Sequence, residues 1–452
     1  MLAALALSAC TLPGVSQPAR CGALGVPENP DRPDGRRLSI HVAVIPAVGR
    51  ALPDPIVPLM GGPGEDAISA AAAFATRLAP LRHARDILLV DQRGTGRSDA
   101  LRCDLYSPEE ADASLRDFFP LAAVKRCGNQ LSARADLTQY TYAHFATDLE
   151  HVRRALGYGK LNLFAGSYGT RAAQVYLRAY PQSVRTVFLG SVVPIDLAMP
   201  LPLAKAAQMT LEKTLSACAA DSACHTAFPN VSDELRDVLA RLESGAVRVF
   251  VPGRTGPVPL HRGRVAEWFR AMLYRAEGAA RAPWTIHQAY AGDWSALVEG
   301  ILSGARERDS AISLGLFFSI ACAEDVAFVR EEEVAPETRG TFVGDYRVRQ
   351  QQAACQDWPK ASLPAGYRAP VRSSVPTFFV SGDSDPATPL SFTERVAPGF
   401  SDRVEIVLPN RGHTEWNECV GHLYERFVRT GAARGLVGSS CAPVPRPPFK
   451  TH

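Results

Sequence analysis

Several signatures that would settle a class at once are missing from this sequence. Its 452 residues contain no Cys-x-x-Cys pair, which disfavours zinc ribbons and thioredoxin-like redox chemistry. Beyond the N-terminal segment no run of about 18 apolar residues occurs, so no later helix is expected to span a membrane. Neither sign of charge dominates. The 49 Lys and Arg against 46 Asp and Glu leave a formal charge of +3, which argues against a nucleic-acid partner and against a polybasic membrane patch. Lysine is scarce, and nothing functional is read from that. No metal or organic cofactor is implied. What is present is a 46% hydrophobic chain, enough for a full core, in one large domain with an insertion or in two to three domains.

The N-terminus and the cysteines speak to compartment. Met1–Ala9 is apolar and ends in Leu7-Ser8-Ala9-Cys10. Small residues before a cysteine resemble a bacterial lipoprotein cleavage site, with Cys10 as the lipidated residue and the one expected link to a membrane. No Lys or Arg precedes the run, and a trimmed ordinary signal peptide is the alternative; both send the chain out of the cytoplasm. Scattered cysteines in an exported chain favour disulfides. The short-range pairings would be Cys103–Cys127, Cys218–Cys224, Cys322–Cys355 and Cys419–Cys441, although spacing leaves the connectivity open. Cys21 is then free, or paired with Cys10 if that residue carries no lipid.

The chain is organised around Leu161–Arg171. An apolar run, Leu161 to Ala165, meets Gly166-Ser167-Tyr168-Gly169, and a helical stretch follows. This reads as strand, sharp turn, helix, with Ser167 at the apex. Such a turn lifts a hydroxyl off the sheet edge, and its crowding demands small residues two positions to either side, here Ala165 and Gly169. Other strands are expected at Leu38–Ile45, Asp54–Met60, Asp86–Val90, Arg185–Val193, Pro376–Val380 and Arg403–Leu408. Nearly all-apolar strands alternating with helices imply a parallel sheet covered on both faces, with ligands beyond the carboxyl ends of the strands. The loops Gly61–Gly64 and Asp91–Ser98 share that rim with Ser167. From about Pro200 to Ala369 the pattern turns helical, as an inserted cap would.

A serine nucleophile needs a base to take its proton and an acid to orient the base, and in such a sheet they follow in the order Ser, Asp or Glu, His. Asp383 and Asp385 come after the strand Pro376–Val380, and His413 follows Arg403–Leu408. His422 is the nearest competing imidazole, but it lies inside the closing helix expected at Glu415–Val428.

Five ordered segments now carry a resemblance: Gly61-Gly62-Pro63-Gly64, Asp91–Ser98, Gly166–Thr170, Asp385-Pro386-Ala387-Thr388-Pro389 and Gly412-His413. Together they resemble the proline iminopeptidase and tripeptidyl aminopeptidase family of α/β-hydrolases, bacterial exported serine peptidases, from about Cys21 to Cys441. The resemblance implies an α/β-hydrolase fold with a mostly parallel sheet and a helical cap. It implies Ser167 as nucleophile, His413 as base and then acid, and Asp385 rather than Asp383 as orienting carboxylate. The oxyanion hole would use the backbone N–H groups of Gly62 and Tyr168.

The sequence departs from the family at Met60, where many relatives carry His, at Glu65, where a small residue is common, and at Gly190-Ser191, where Asp-Gly is frequent. Asp91 and Arg93 are expected to buttress the rim. An aminopeptidase must also hold a free ammonium, for which Glu324 in the cap and Glu65 are the candidates, with a peptide as the partner. Removal of one to three N-terminal residues through an acyl-enzyme is the expected activity, and a carboxylesterase on the same scaffold is the alternative. The expected divisions are a leader and linker at 1–20, core at 21–199 and 370–441, cap at 200–369, and a Pro-rich tail at 442–452. The oligomeric state is left open.

Overall fold

Runs of branched and aromatic residues without polar interruption build the centre of one nine-stranded sheet. The structure, a computed structural model, describes residues 5–106, 108–251 and 254–452. In chain order the strands are β1 (Ser8–Cys10), β2 (Ala19–Pro27), β3 (Arg37–Ile45), β4 (Ile56–Leu59), β5 (Ile87–Val90), β6 (Leu161–Gly166), β7 (Val184–Gly190), a short ribbon of β8 (Arg248–Val249) and β9 (Val258–Pro259), β10 (Thr377–Gly382) and β11 (Arg403–Leu408). The sheet runs β1-β2-β3-β5-β4-β6-β7-β10-β11. Pairing from β5 through β11 is parallel, while β1, β2 and β3 extend the sheet in antiparallel fashion. Every residue of β4, β5 and β10 is buried, whereas β2 and β11 alternate, as expected for strands at the centre and towards the edges of a covered sheet.

Alternation along the strands splits the core into two layers. Leu163 and Ala165 of β6 face the helices Tyr142–Ala155 and Gly169–Ala179 through Leu149, Ala173 and Tyr176. Phe164, Phe188 and Phe378 face the other way, onto Tyr424 and Phe427 of the helix Glu418–Thr430. Phe164 and Phe188 stack at 4.5 Å, an aromatic shelf directly beneath the Ser167 turn.

The cap helices Leu203–Ala220, Val231–Glu243, Arg262–Met272, Ala276–Tyr290 and Ser295–Ala311 share a hydrophobic cluster of their own around Leu211, Val238, Phe269 and Ile286. The inserted stretch is not uniform, however. Leu316, Phe318, Cys322, Cys355 and Trp358 belong to the cluster of the sheet. The reason lies in Leu314–Ile320, which carries a single polar side chain, Ser319, and is buried at every residue between cap and sheet. Gly315 allows that approach, since a Cβ there would lie 2.6 Å from the Leu101 carbonyl oxygen.

Both ends of the described chain are tied down. Leu5 is buried, and Ser8–Cys10 forms β1 against β2, a pair that Gly22, Gly25 and Pro27 disguise in the sequence. Cys10 bonds Cys21, which corrects the lipid-anchor expectation, because a sulfur spent in a disulfide cannot carry a thioether-linked lipid. The four short-range pairs also form. The Pro-rich tail docks on the cap: Lys450 N–H donates to the Ala280 carbonyl at 3.1 Å, and its ammonium stands 3.4 Å over the Trp284 ring.

Candidate active site

The site begins where β6 runs out. Ser167 follows Gly166 at φ +53°, a left-handed conformation unusual for a residue with a side chain, and the helix Gly169–Ala179 starts two residues later. Its amide donates to the Gly190 carbonyl at 3.0 Å, and its carbonyl accepts the Thr170 hydroxyl at 2.6 Å. A Cβ at position 169 would lie 2.1 Å from the Leu59 carbonyl oxygen, so the turn passes the end of β4 only with glycine there.

Two further strand-end loops meet this turn. His413 follows β11, and its amide donates to the Tyr274 carbonyl of the cap at 2.8 Å. Its Nε2 lies 2.8 Å from Ser167 Oγ, and its Nδ1 lies 2.9 Å from Asp385 Oδ2. Asp385 follows β10 and accepts four more hydrogen bonds: from the amides of Ala387 and Thr388 at 2.9 Å, the Thr388 hydroxyl at 2.7 Å and the Ser191 hydroxyl at 2.9 Å. Burial alone would raise this carboxyl; the imidazole and the two amides outweigh it and hold Asp385 below the ordinary carboxylate range. A hydroxyl, an imidazole and an ionised carboxylate in that series can transfer a proton away from the hydroxyl as it attacks a carbonyl. Asp383 is not in the series. It accepts the Asn410 amide and pairs with Lys213 at 2.8 Å.

The Gly61–Gly62 backbone lies against this centre. A Cβ at Gly61 would come within 3.3 Å of Ser167 Cβ and 3.5 Å of the Tyr168 amide nitrogen, and Gly62 adopts φ +103°. Neither the Gly62 nor the Tyr168 amide donates a hydrogen bond among the described residues. Asp91 holds the following segment by accepting the amides of Ala67, Ile68 and Arg97. Burial pushes Asp91 up to about 6 against those amides. Arg93 is fully buried in a two-pronged pair with Asp148 at 2.7 and 2.8 Å. This loop shapes the rim without touching the serine.

The arrangement matches known proteins along most of the chain. Residues 54–268 match the model of the alpha/beta hydrolase fold, and residues 340–441 match the model described as TAP-like protein. The chain is an α/β hydrolase. Serine protease Hip1 of Mycobacterium tuberculosis is 27% identical to this hydrolase over 82% of its chain and 77% of the relative. Tripeptidyl aminopeptidase of Streptomyces coelicolor is 24% identical over 95% of this chain and 85% of the relative.

A cavity of about 480 Å³ opens over Ser167 and His413 in this hydrolase. Gly62 and Glu65 line it, as do Met60, Phe74, Tyr274 and Trp416. Burial raises the Glu65 carboxyl, with the Gly61 amide and His413 opposing. Glu324 is elsewhere, which corrects its expected place in the substrate site. It is buried in a π-helical turn, Ala321–Asp325, where it accepts the Tyr142 amide at 2.9 Å and the Tyr367 hydroxyl. Its neighbour Asp325 pairs with Arg171 at 2.5 Å, and Arg171 also donates to the Pro194 and Leu197 carbonyls, so this acid pair ties the helix after Ser167 to the root of the cap.

Ser191 and Thr388 were the residues that sequence reasoning missed. Ser191 stands at φ +52° and donates to Asp385 while accepting the Thr414 amide at 2.9 Å. The unexplained Gly190-Ser191 departure was the available signal: a hydroxyl where relatives have glycine, at the end of the strand between the serine and the aspartate.

Proposed function

We propose that this hydrolase is an exported serine exopeptidase that removes one residue or a short peptide from the free N-terminus of a peptide. The observation that carries the reading is the unbroken series Ser167–His413–Asp385, at 2.8 and 2.9 Å, on the floor of a groove that also holds the carboxylate of Glu65. Ser167 Oγ attacks the scissile carbonyl and gives its proton to His413 Nε2. The Gly62 and Tyr168 amides receive the charge that develops on the carbonyl oxygen. His413 then hands the proton to the leaving nitrogen, which departs and leaves an ester on Ser167. Water activated by the same imidazole hydrolyses that ester. Asp385 stays ionised throughout, fixes the imidazole tautomer and offsets its charge. Glu65 receives the substrate ammonium, and that cation compensates a carboxylate that burial otherwise discourages from ionising. The relatives' names and the five disulfides support a peptidase made for an oxidising compartment.

The test is a panel of free and N-acetylated mono-, di- and tripeptide anilides. Replacing Ser167 with Ala lowers kcat by about 10⁶-fold and abolishes labelling by a fluorophosphonate; labelling retained at another serine overturns the assignment. Changing Glu65 to Gln raises KM for free-amine substrates about 10-fold, an effect on the order of 1.4 kcal/mol, and has less effect on acetylated ones. Turnover of acetylated peptides or simple esters as fast as free peptides favours the second reading, a carboxylesterase. The aromatic lining from Phe74, Phe164, Phe188 and Trp416 speaks for that alternative.

A further inference from the structure

The groove does not stop at the imidazole. It continues along Thr414, Glu415 and Trp416, which follow His413 in the chain, and along Arg275, which follows the Tyr274 that packs on His413 with ring centres 4.9 Å apart. Arg77 lines the same cavity beside them, its guanidinium 5.4 Å from the centre of the Trp416 ring. Arg275 approaches Glu415 only at 4.0 Å. The Arg77 guanidinium makes no hydrogen bond and no ion pair among the described residues. Burial and the neighbouring Arg275 both lower its proton affinity, with Glu415 opposing. Two guanidinium groups against one carboxylate leave an uncompensated positive charge at the solvent-facing end of the groove, beside an aromatic ring.

The place of that charge along the substrate follows from the chemistry. His413 must reach the leaving nitrogen to protonate it, so the departing part of the substrate lies on the imidazole side of Ser167. The wall made by Arg275, Glu415, Trp416 and Arg77 is on that side. Guanidinium groups offer paired donors that match a carboxylate.

We propose that Arg77 and Arg275 form a carboxylate subsite for the leaving portion of the substrate. The carboxylate is either the C-terminus of a short peptide or an acidic side chain beside the scissile bond. The peptide identity of the ligand rests on the proposed function; the anion subsite does not. An ester pair therefore separates the two: the acetyl esters of 4-hydroxybenzoate and of 4-hydroxybenzamide, which place a charged or a neutral group in the leaving position. The peptide arms compare free with amidated C-termini, and Asp with Asn at the first leaving residue.

In each arm kcat/KM is measured on the full chain, for the wild type and for the double variant Arg77→Gln, Arg275→Gln. The expected result is that the acid-to-neutral ratio drops about 5-fold in the double variant, and that raising the salt concentration lowers the wild-type ratio in the same direction. The intrinsic reactivity difference between paired substrates cancels in that comparison. The peptide arm that responds identifies the source of the carboxylate. A ratio unmoved by both the double variant and salt in every arm overturns the subsite. A shifted ester ratio with no peptide turnover sustains the subsite and overturns the peptidase reading.

Discussion

Asp385 and Glu324 are almost equally buried carboxyls, 2% and 1% exposed, whose proton affinities are shifted in opposite directions. Asp385 faces an imidazole and four further donors, and it is held below the usual range despite burial. Glu324 has two donors, and the nearby cation Arg171 is engaged by Asp325. Burial pushes Glu324 up to about 7, with the Tyr367 hydroxyl and the Tyr142 amide opposing. Burial by itself therefore identifies neither. The number of donors and the sign of the neighbouring charge decide which acid can orient a base and which one serves the packing of the cap root.

The comparison breaks most visibly in turnover. Asp385→Asn should lower kcat by about 10⁴-fold, because the imidazole loses its tautomer and its counter-charge, whereas Glu324→Gln should keep wild-type kcat. Steady-state rates on one anilide check both, and equal losses would erase the distinction.

Stability against pH is the next largest effect, and the two acids have opposite signs. Glu324 has its folded value raised from an ordinary 4.5 to about 7, so the folded state holds its proton more tightly than the unfolded chain does. Its contribution is fully present below pH 4.5 and is lost as pH rises through about 7, an effect on the order of 3 kcal/mol. Asp385, depressed below 3.8, contributes stability above that pH and loses it as pH falls through the folded value. Thermal melts from pH 4 to 8 should show Glu324→Gln flattening the wild-type decline over that window. An unchanged slope would mean that Glu324 is ionised in the fold.

The smallest effect tests the donor count itself. Ser191→Ala removes one hydroxyl from Asp385 and should cost about 1 kcal/mol, or roughly 5-fold in kcat. A change in KM alone would leave Ser191 as packing.

The central strands were legible because each is a short apolar run closed by a turn, and β4, β5, β6, β7, β10 and β11 form within a few residues of the expected spans. Ser167, Asp385 and His413 were legible as residues just past such strands. Cys10 was read as a lipid site because small residues before a cysteine look alike whether its sulfur takes a lipid or, as at the end of Ser8–Cys10, a disulfide. Glu324 was misread because its disulfide-bonded neighbour Cys322 marks a fixed segment without saying which way the segment faces.

Local order, then, is what the chain carries on its surface: alternation of strand and helix, the small residues around Ser167, and the glycines that let loops pass. These depend on neighbours a few positions away, so pattern alone reports them. The convergence of three loops on one hydroxyl, the hydroxyl of Ser191 on Asp385, the withdrawal of Glu324 from the groove and the approach of Arg77 to Arg275 join residues tens to hundreds of positions apart. Only the folded sheet, with its cap and tail laid against it, sets those distances, because desolvation and charge pairing depend on what lies across space rather than along the chain.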